Sequence, residues 1–145
     1  MDKVPDMRFI STAKSALLLA LLALATGAGA HDGKHGDEVV TPLQHQALSD
    51  APGKSGVMAV VAYGPGQSSV AHRHPGSIFA YVLEGEVVSQ LQGGAPVTYK
   101  AGESWYEAPD TPHLVSRNAS ATKPAKLLVW SLVQDGKPLT VPLEK

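Results

Sequence analysis

The chain has 145 residues, which is enough for one compact domain and too few for two well-packed cores. Its 12 Lys and Arg residues nearly balance its 13 Asp and Glu residues, and a net charge of −1 with no basic run argues against binding to nucleic acid or to an anionic membrane surface. The lack of cysteine excludes disulfides and thiolate metal sites, so a metal has to be held by histidine, carboxylate or carbonyl groups.

Residues 1–30 have the pattern of a secretory signal peptide. An apolar run at 15–25 follows basic residues and leads to the small residues Ala28, Gly29 and Ala30, which is typical of a cleavage site. The run is shorter than the roughly 20 residues that a membrane-spanning helix needs. The sequence therefore predicts an exported protein, periplasmic or secreted, with no membrane attachment after cleavage.

Residues 31–55 are predicted to be a flexible N-terminal segment. The segment begins with a polar, Gly-rich stretch that contains His31 and His35. These two histidines and a new α-amine form a candidate copper chelate, with a plain solvated tail as the alternative. A short helix is a candidate structure for residues 43–48.

From Gly56 onward the sequence predicts short β-strands separated by turns. Val, Ile, Leu and aromatic residues dominate runs such as 57–63, 78–83 and 127–133. Gly and Pro punctuate the chain between the runs. The pattern predicts an all-β domain over residues 56–145, built as a double-sheet roll or a small barrel.

Three histidines in this region are candidate metal ligands. His72 and His74 are one residue apart in a stretch with strand character, so a period of two places both on the same face. His113 starts another predicted strand after a Pro-rich corner and is the candidate third ligand.

Two separated motifs resemble those of the cupin superfamily. The first reads Gly66-x5-His72-x-His74-x3-Ile78-x6-Gly85 and the second reads Gly102-x5-Ala108-Pro109-Asp110-x2-His113. The family patterns are Gly-x5-His-x-His-x3,4-Glu-x6-Gly and Gly-x5-Pro-x-Gly-x2-His-x3-Asn. The resemblance covers about residues 56–133. It implies a double-stranded β-helix, or jelly-roll barrel, for residues 56–145.

The chain departs from these patterns at several positions. Ile78 stands where the family usually has its glutamate ligand, and an aliphatic side chain cannot coordinate a metal. In the second motif Ala108 replaces Pro, Asp110 replaces Gly, and Asn118 comes one residue late.

The resemblance then implies a neutral site of three imidazoles that binds one divalent metal ion. Imidazole suits several metals, so Fe, Mn, Zn, Cu and Ni all stay candidates. Without a protein carboxylate, such a site is expected to favour a small anionic chelating ligand. The superfamily includes three-histidine non-haem iron dioxygenases that hold substrate and O₂ at open positions of the metal.

Three further residues are candidates for the same site. Glu107 lies in a strand run just before the second motif's corner, and a charge there needs a reason. It is interpreted as a replacement ligand or a general base, with an exposed charge on a sheet edge as the alternative. Ser89 and Gln90 follow Gly85 on the next strand and are predicted to support the metal ligands by hydrogen bonds.

Three functions are compatible with these residues. The first is an exported metal-binding cupin that acts as an O₂-dependent dioxygenase-type oxidoreductase on a small chelating substrate. The second is a non-catalytic module that binds a small ligand or a metal, and the third is a structural protein with a vestigial site. A homodimer is expected from the family resemblance and from the exposed edges of such sheets.

Overall fold

The computed structural model describes residues 36–144. The predicted signal peptide and the tail histidines His31 and His35 lie outside this range. Within it, no helix is long and apolar enough to cross a membrane.

The described chain forms two five-stranded antiparallel sheets, and the prediction of an all-β jelly-roll fold is confirmed. The order of the first sheet is β1-β2-β9-β4-β7, and that of the second is β10-β3-β8-β5-β6. The strands are β1 (Val39–Ala47), β2 (Lys54–Tyr63), β3 (His72–Arg73), β4 (Ser77–Glu84), β5 (Glu86–Leu91), β6 (Val97–Lys100), β7 (Ser104–Glu107), β8 (His113–Asn118), β9 (Ala125–Gln134) and β10 (Val141–Pro142).

The core fills part of the space between the two sheets. Alternation along the strands turns every second side chain inward, and β4 follows it closely, with Ile78, Ala80 and Val82 buried. The buried cluster is made of Tyr63, Ala80, Val82, Val87, Trp105, Ala125 and Leu127. Apolar burial of this kind is the main term that stabilises the barrel.

The N-terminal part of the domain differs from the sequence prediction. Strand β1 lies inside the segment 31–55 that was predicted to be flexible, and β2 begins at Lys54, before the expected domain start at residue 56. Residues 43–47 belong to β1 and not to a helix. All nine residues of β1 are exposed, so no apolar alternation marks them. Backbone pairing with β2, from Val39 opposite Ala62 to Ala47 opposite Ser55, holds the strand in place.

Candidate metal centre

The structure brings the three histidines together at one end of the barrel. His72 in β3 is the register partner of His113, the first residue of β8. His74 follows two residues later, and each histidine offers a ring nitrogen within 4.8 Å of the others. The ring centroids of His72 and His74 are 4.7 Å apart, and those of His72 and His113 are 5.1 Å apart. This spacing suits a cluster of ligands around one ion.

Backbone carbonyls fix the orientation of two of the rings. The Nδ1 of His72 donates a hydrogen bond to the carbonyl oxygen of Val70 at 2.7 Å, and the Nδ1 of His74 donates to that of Leu139 at 2.7 Å. A carbonyl oxygen only accepts, so both Nδ1 atoms carry the proton and a neutral ring keeps a lone pair on Nε2. The two Nε2 atoms lie 3.1 Å apart. When both rings are neutral, two acceptor lone pairs therefore face each other.

The third ring has a different support. His113 is 3% exposed, and its Nε2 lies 2.8 Å from the hydroxyl of Ser89. Its Nδ1 is 3.2 Å from Oε1 of Glu107 but is not aligned for a hydrogen bond, so this contact is electrostatic. The Ser89 hydroxyl therefore holds the ring through Nε2, while Nδ1 stays without a hydrogen-bond partner.

Glu107 lies in the histidine cluster and not at an exposed edge. Its side chain is 3% exposed, and Oε1 accepts a hydrogen bond of 2.9 Å from the indole N–H of Trp105. Oε2 has no hydrogen-bond partner and lies 3.8 Å from Nε2 of His74. The three imidazoles therefore have a carboxylate beside them and do not form a neutral site, and Glu107 stays a candidate ligand or general base.

Burial and neighbouring groups shift the pKa values of Glu107 and His72. Burial on its own raises the pKa of Glu107, but His113, the Trp105 indole and His74 together lower that pKa below its ordinary value. For His72, burial lowers the pKa, and the neighbouring histidines His74 and His113 add to this effect. Both shifts favour a carboxylate beside a neutral imidazole, which is the form that binds a cation.

A cavity of about 280 Å³ opens next to the histidines. Its wall is mostly aliphatic and aromatic, and it includes Ile78, which is 2% exposed. Polar groups are contributed by Glu38, Ser69, His72, His74, Glu107, His113, Ser116, Ser131 and Thr140. An apolar space with a few polar groups is typical of small-molecule sites.

The corner before His113 contains a left-handed backbone conformation at Asp110. Asp110 adopts a left-handed conformation with φ of 60°, where the family pattern has glycine. Its backbone N–H donates to the carbonyl oxygen of His74 at 2.7 Å, which joins this corner to the first motif. The late Asn118 is 2% exposed and donates to the carbonyl oxygens of Gly64 and Lys123. It fixes a loop and has no contact with the histidines.

Two placements differ from the sequence interpretation. Gln90 does not line the cavity, and its side-chain amide donates to the carbonyl oxygen of Gly94. Neighbouring residues in a strand face opposite sides, so Ser89 and Gln90 cannot both point to His113. Sequence reasoning also missed Glu38, which lines the cavity from a segment expected to be a tail. No sequence signal marked it, because it precedes a strand with no apolar alternation.

Comparisons with known proteins agree with this architecture. A family model described as "Cupin domain" matches residues 59–131. A search of curated proteins finds no match. Among solved structures, the DMSP lyase DddQ from Ruegeria pomeroyi DSS-3 is 21% identical with a TM-score of 0.59, covering 72% of this chain and 51% of that one.

Two other solved structures are similar. A cupin-like protein from Thermotoga maritima MSB8 is 21% identical with a TM-score of 0.58, covering 74% of this chain and 77% of that one. An oxalate oxidase in complex with glycolate is 23% identical with a TM-score of 0.56, covering 72% of this chain and 54% of that one. The chain thus spans about half the length of the lyase and of the oxidase. At these identities the likeness establishes the fold alone.

Proposed function

Because the chain belongs to the cupin family, we propose that His72, His74 and His113 bind one divalent metal ion and that a small molecule binds at this ion in the adjacent cavity. The observation that carries the proposal is the approach of the Nε2 atoms of His72 and His74 to 3.1 Å, with both Nδ1 protons used by carbonyl groups. When both rings are neutral, two lone pairs at this distance repel each other unless a proton or a metal ion lies between them. The residues therefore fit a metal ion.

Each neighbouring group has a role in this proposal. The metal would act as a Lewis acid that polarises a bound oxygen atom. Ser89 holds the His113 ring, and the carbonyls of Val70 and Leu139 hold the other two rings. Glu107 offsets part of the ion's charge, and its free Oε2 is placed to accept a proton from a bound molecule.

Metal analysis of the purified protein tests the binding site. We expect about one bound ion per chain in the wild type and a loss of that ion in His72→Ala and in His113→Ala. His45→Ala is the matched control, because His45 is exposed on β1 and lies outside the cluster. Unchanged stoichiometry in the two cluster variants would rule out the site.

The reaction that we propose is oxidation of a small chelating molecule by O₂. Its support is the three-histidine pattern and the free carboxylate oxygen beside it. O₂ uptake by the iron-loaded protein, measured across a panel of chelating acids, tests it. Uptake with one acid that is lost in His113→Ala supports an enzyme, whereas no uptake with any acid supports the alternative of a non-catalytic binding module.

We also propose that the protein is exported and forms a homodimer. Residues 1–30 support export, and cell fractionation with detection of a shortened chain tests it. Support for the dimer comes from an exposed aromatic face on the outer side of the first sheet, where Phe79 is 50% and Tyr106 is 47% exposed and their rings lie 5.0 Å apart. Light scattering of the wild type and of Phe79→Glu tests the assembly.

A further inference from the structure

The polar atoms left without partners lie on one cavity. Among the described residues, three buried side-chain nitrogen or oxygen atoms have no hydrogen-bond partner: Oε2 of Glu38, Oε2 of Glu107 and Nδ1 of His113. All three residues line the 280 Å³ cavity. Native proteins rarely leave buried polar atoms unpaired, so such a group of atoms calls for an ordered water, an ion or a bound molecule as its partner. His113 and Glu107 belong to the metal centre, and Glu38 needs another explanation.

Glu38 lies near Tyr63, and its Oε2 has no hydrogen-bond partner there. It precedes Val39, which pairs with Ala62 next to Tyr63. The Tyr63 hydroxyl lies 2.7 Å from the hydroxyl of Ser69 and 2.8 Å from that of Ser116, and either atom of each pair can donate. None of the three hydroxyls makes a hydrogen bond with Oε2 of Glu38. The charge of Glu38 contributes, after burial, to the raised pKa of Tyr63, as expected for a carboxylate close by.

A series of contacts leads from Tyr63, next to Glu38, to the histidine cluster. Ser116, which bonds with Tyr63, is the register partner of Ser89, and Ser89 bonds with His113. Glu38 and the three histidines line the same cavity. A single small molecule in the cavity can contact both.

We propose that the ligand of this cavity is a small zwitterion that binds the metal through a chelating acid group and binds Glu38 through a protonated amine. This inference rests on the proposed function. An ammonium group provides the hydrogen-bond donors that Oε2 of Glu38 lacks and neutralises its charge. The charges of Glu38 and Glu107 together balance a divalent ion, so a ligand of zero net charge fits best. A cavity of about 280 Å³ is at the small end of ligand sites, which limits the ligand to a small molecule.

Matched pairs of 2-hydroxy acids test this ligand class. In each pair a terminal ammonium group replaces a terminal methyl group: 3-amino-2-hydroxypropanoate with 2-hydroxybutanoate, 4-amino-2-hydroxybutanoate with 2-hydroxypentanoate, and 5-amino-2-hydroxypentanoate with 2-hydroxyhexanoate. Calorimetric titration of the Co²⁺-loaded protein gives the affinities, and the visible spectrum of Co²⁺ reports whether the acid reaches the metal. We expect one amino acid of the series to bind roughly tenfold more tightly than its methyl partner, as for a hydrogen bond to a charged group.

Glu38→Gln should abolish this preference while Co²⁺ binding stays unchanged. Glu86→Gln is the control variant, because it removes one negative charge from an exposed residue outside the cavity and should keep the preference. Equal affinity within every pair, or a preference that survives in Glu38→Gln, would overturn the inference. Failure to bind Co²⁺ would instead overturn the proposed function, and the inference with it.

The thermal stability of the metal-free, ligand-free protein gives a second readout. A buried carboxylate oxygen without a partner destabilises the fold, so Glu38→Gln should raise Tm by a few degrees. Adding the preferred amino acid to the Co²⁺-loaded proteins should then raise the Tm of the wild type more than that of the variant. A lower Tm in metal-free Glu38→Gln would assign Glu38 a structural bond and overturn its role in ligand binding.

Discussion

Ile78 and Glu107 are register partners across strands β4 and β7, and both side chains point into the cavity. Opposite residues of an antiparallel pair share a face of the sheet, so the carboxylate occupies the position next to the one where the family pattern places glutamate. The chain has an aliphatic residue at the usual position and an acidic residue one strand away. A negative charge therefore lies beside the three histidines although position 78 is aliphatic.

Removing the carboxylate from position 107 and placing one at position 78 tests this relationship. Glu107→Gln should weaken metal binding by about 10- to 100-fold, because the charge beside the histidines is lost while the amide oxygen can still accept from Trp105. The double variant Ile78→Glu/Glu107→Gln should regain most of that affinity. Competition with a chelator of known affinity measures both changes. If Glu107→Gln binds the ion as tightly as the wild type, the carboxylate has no role in holding it.

Ser89 provides a test of ring orientation. Ser89→Ala removes the hydroxyl that lies 2.8 Å from Nε2 of His113 and should lower metal affinity about tenfold while the barrel stays folded. Ser104→Ala, at an exposed position of β7, is the matched control and should have no effect. The same chelator competition, with circular dichroism to verify folding, measures the difference. Equal affinities in the two variants would contradict the role of Ser89.

The raised pKa of Tyr63 predicts that the folded state loses stability at alkaline pH. Burial raises its pKa above the usual value of 10.0, and Glu38 adds to the rise, whereas the hydrogen bonds with Ser116 and Ser69 oppose it. A raised pKa in the folded state means that folding favours the neutral phenol. The stabilisation that this gives to the folded state is complete below pH 10, and it is lost as the pH rises through the folded-state pKa of Tyr63.

Tyr63→Phe should lower the free energy of unfolding by about 1–2 kcal/mol at pH 7, because two serine hydroxyls lose a partner. Its stability should then depend less on pH above 10 than that of the wild type. Urea unfolding at pH 7, 9, 10 and 11 measures both effects. Parallel pH profiles for the two proteins would show that Tyr63 is not the titrating group.

Gly76 lies where the chain passes against the backbone of β9. A Cβ atom at this position would collide with the carbonyl oxygen of Leu132, which β4 needs for pairing. Gly76→Ala should therefore lower the free energy of unfolding by about 3 kcal/mol. Gly94→Ala is the control, since its Cβ would meet only the Leu91 carbonyl oxygen at 3.5 Å. Equal free energies of unfolding in the two variants, measured by urea unfolding, would show that the backbone before β4 shifts to make room for the methyl group.

The histidine cluster could be predicted from the sequence by two different arguments. The spacing of His72 and His74 is local and favours one face, although His74 lies just beyond the two-residue strand β3. His113 is distant in sequence, and only the resemblance to the second cupin motif pointed to it. The position of Glu107 could not be decided in the same way. Whether it faces the cavity depends on the register of β7 against β4, which is set by tertiary pairing.

The contribution of Glu38 to the cavity wall could not be predicted from the sequence, for a different physical reason. Backbone hydrogen bonds with β2 hold β1 in place, and all of its side chains are exposed. A strand of this kind leaves no pattern of apolar residues, so Glu38 was assigned to a tail. Gln90 was misplaced because two adjacent strand residues were expected to share one face.

Strand β3 has two residues, and its only register partner in β8 is His113, opposite His72. An ion held by these two side chains would cross-link the strands where backbone pairing is weakest. Strand β10 lies at one edge of this sheet, and β3 is its pairing partner among the described strands. Its attachment to the sheet therefore depends on the link between β3 and β8. Loss of the ion would then loosen this edge of the sheet first, so resistance to proteolysis at this edge would depend on metal supply.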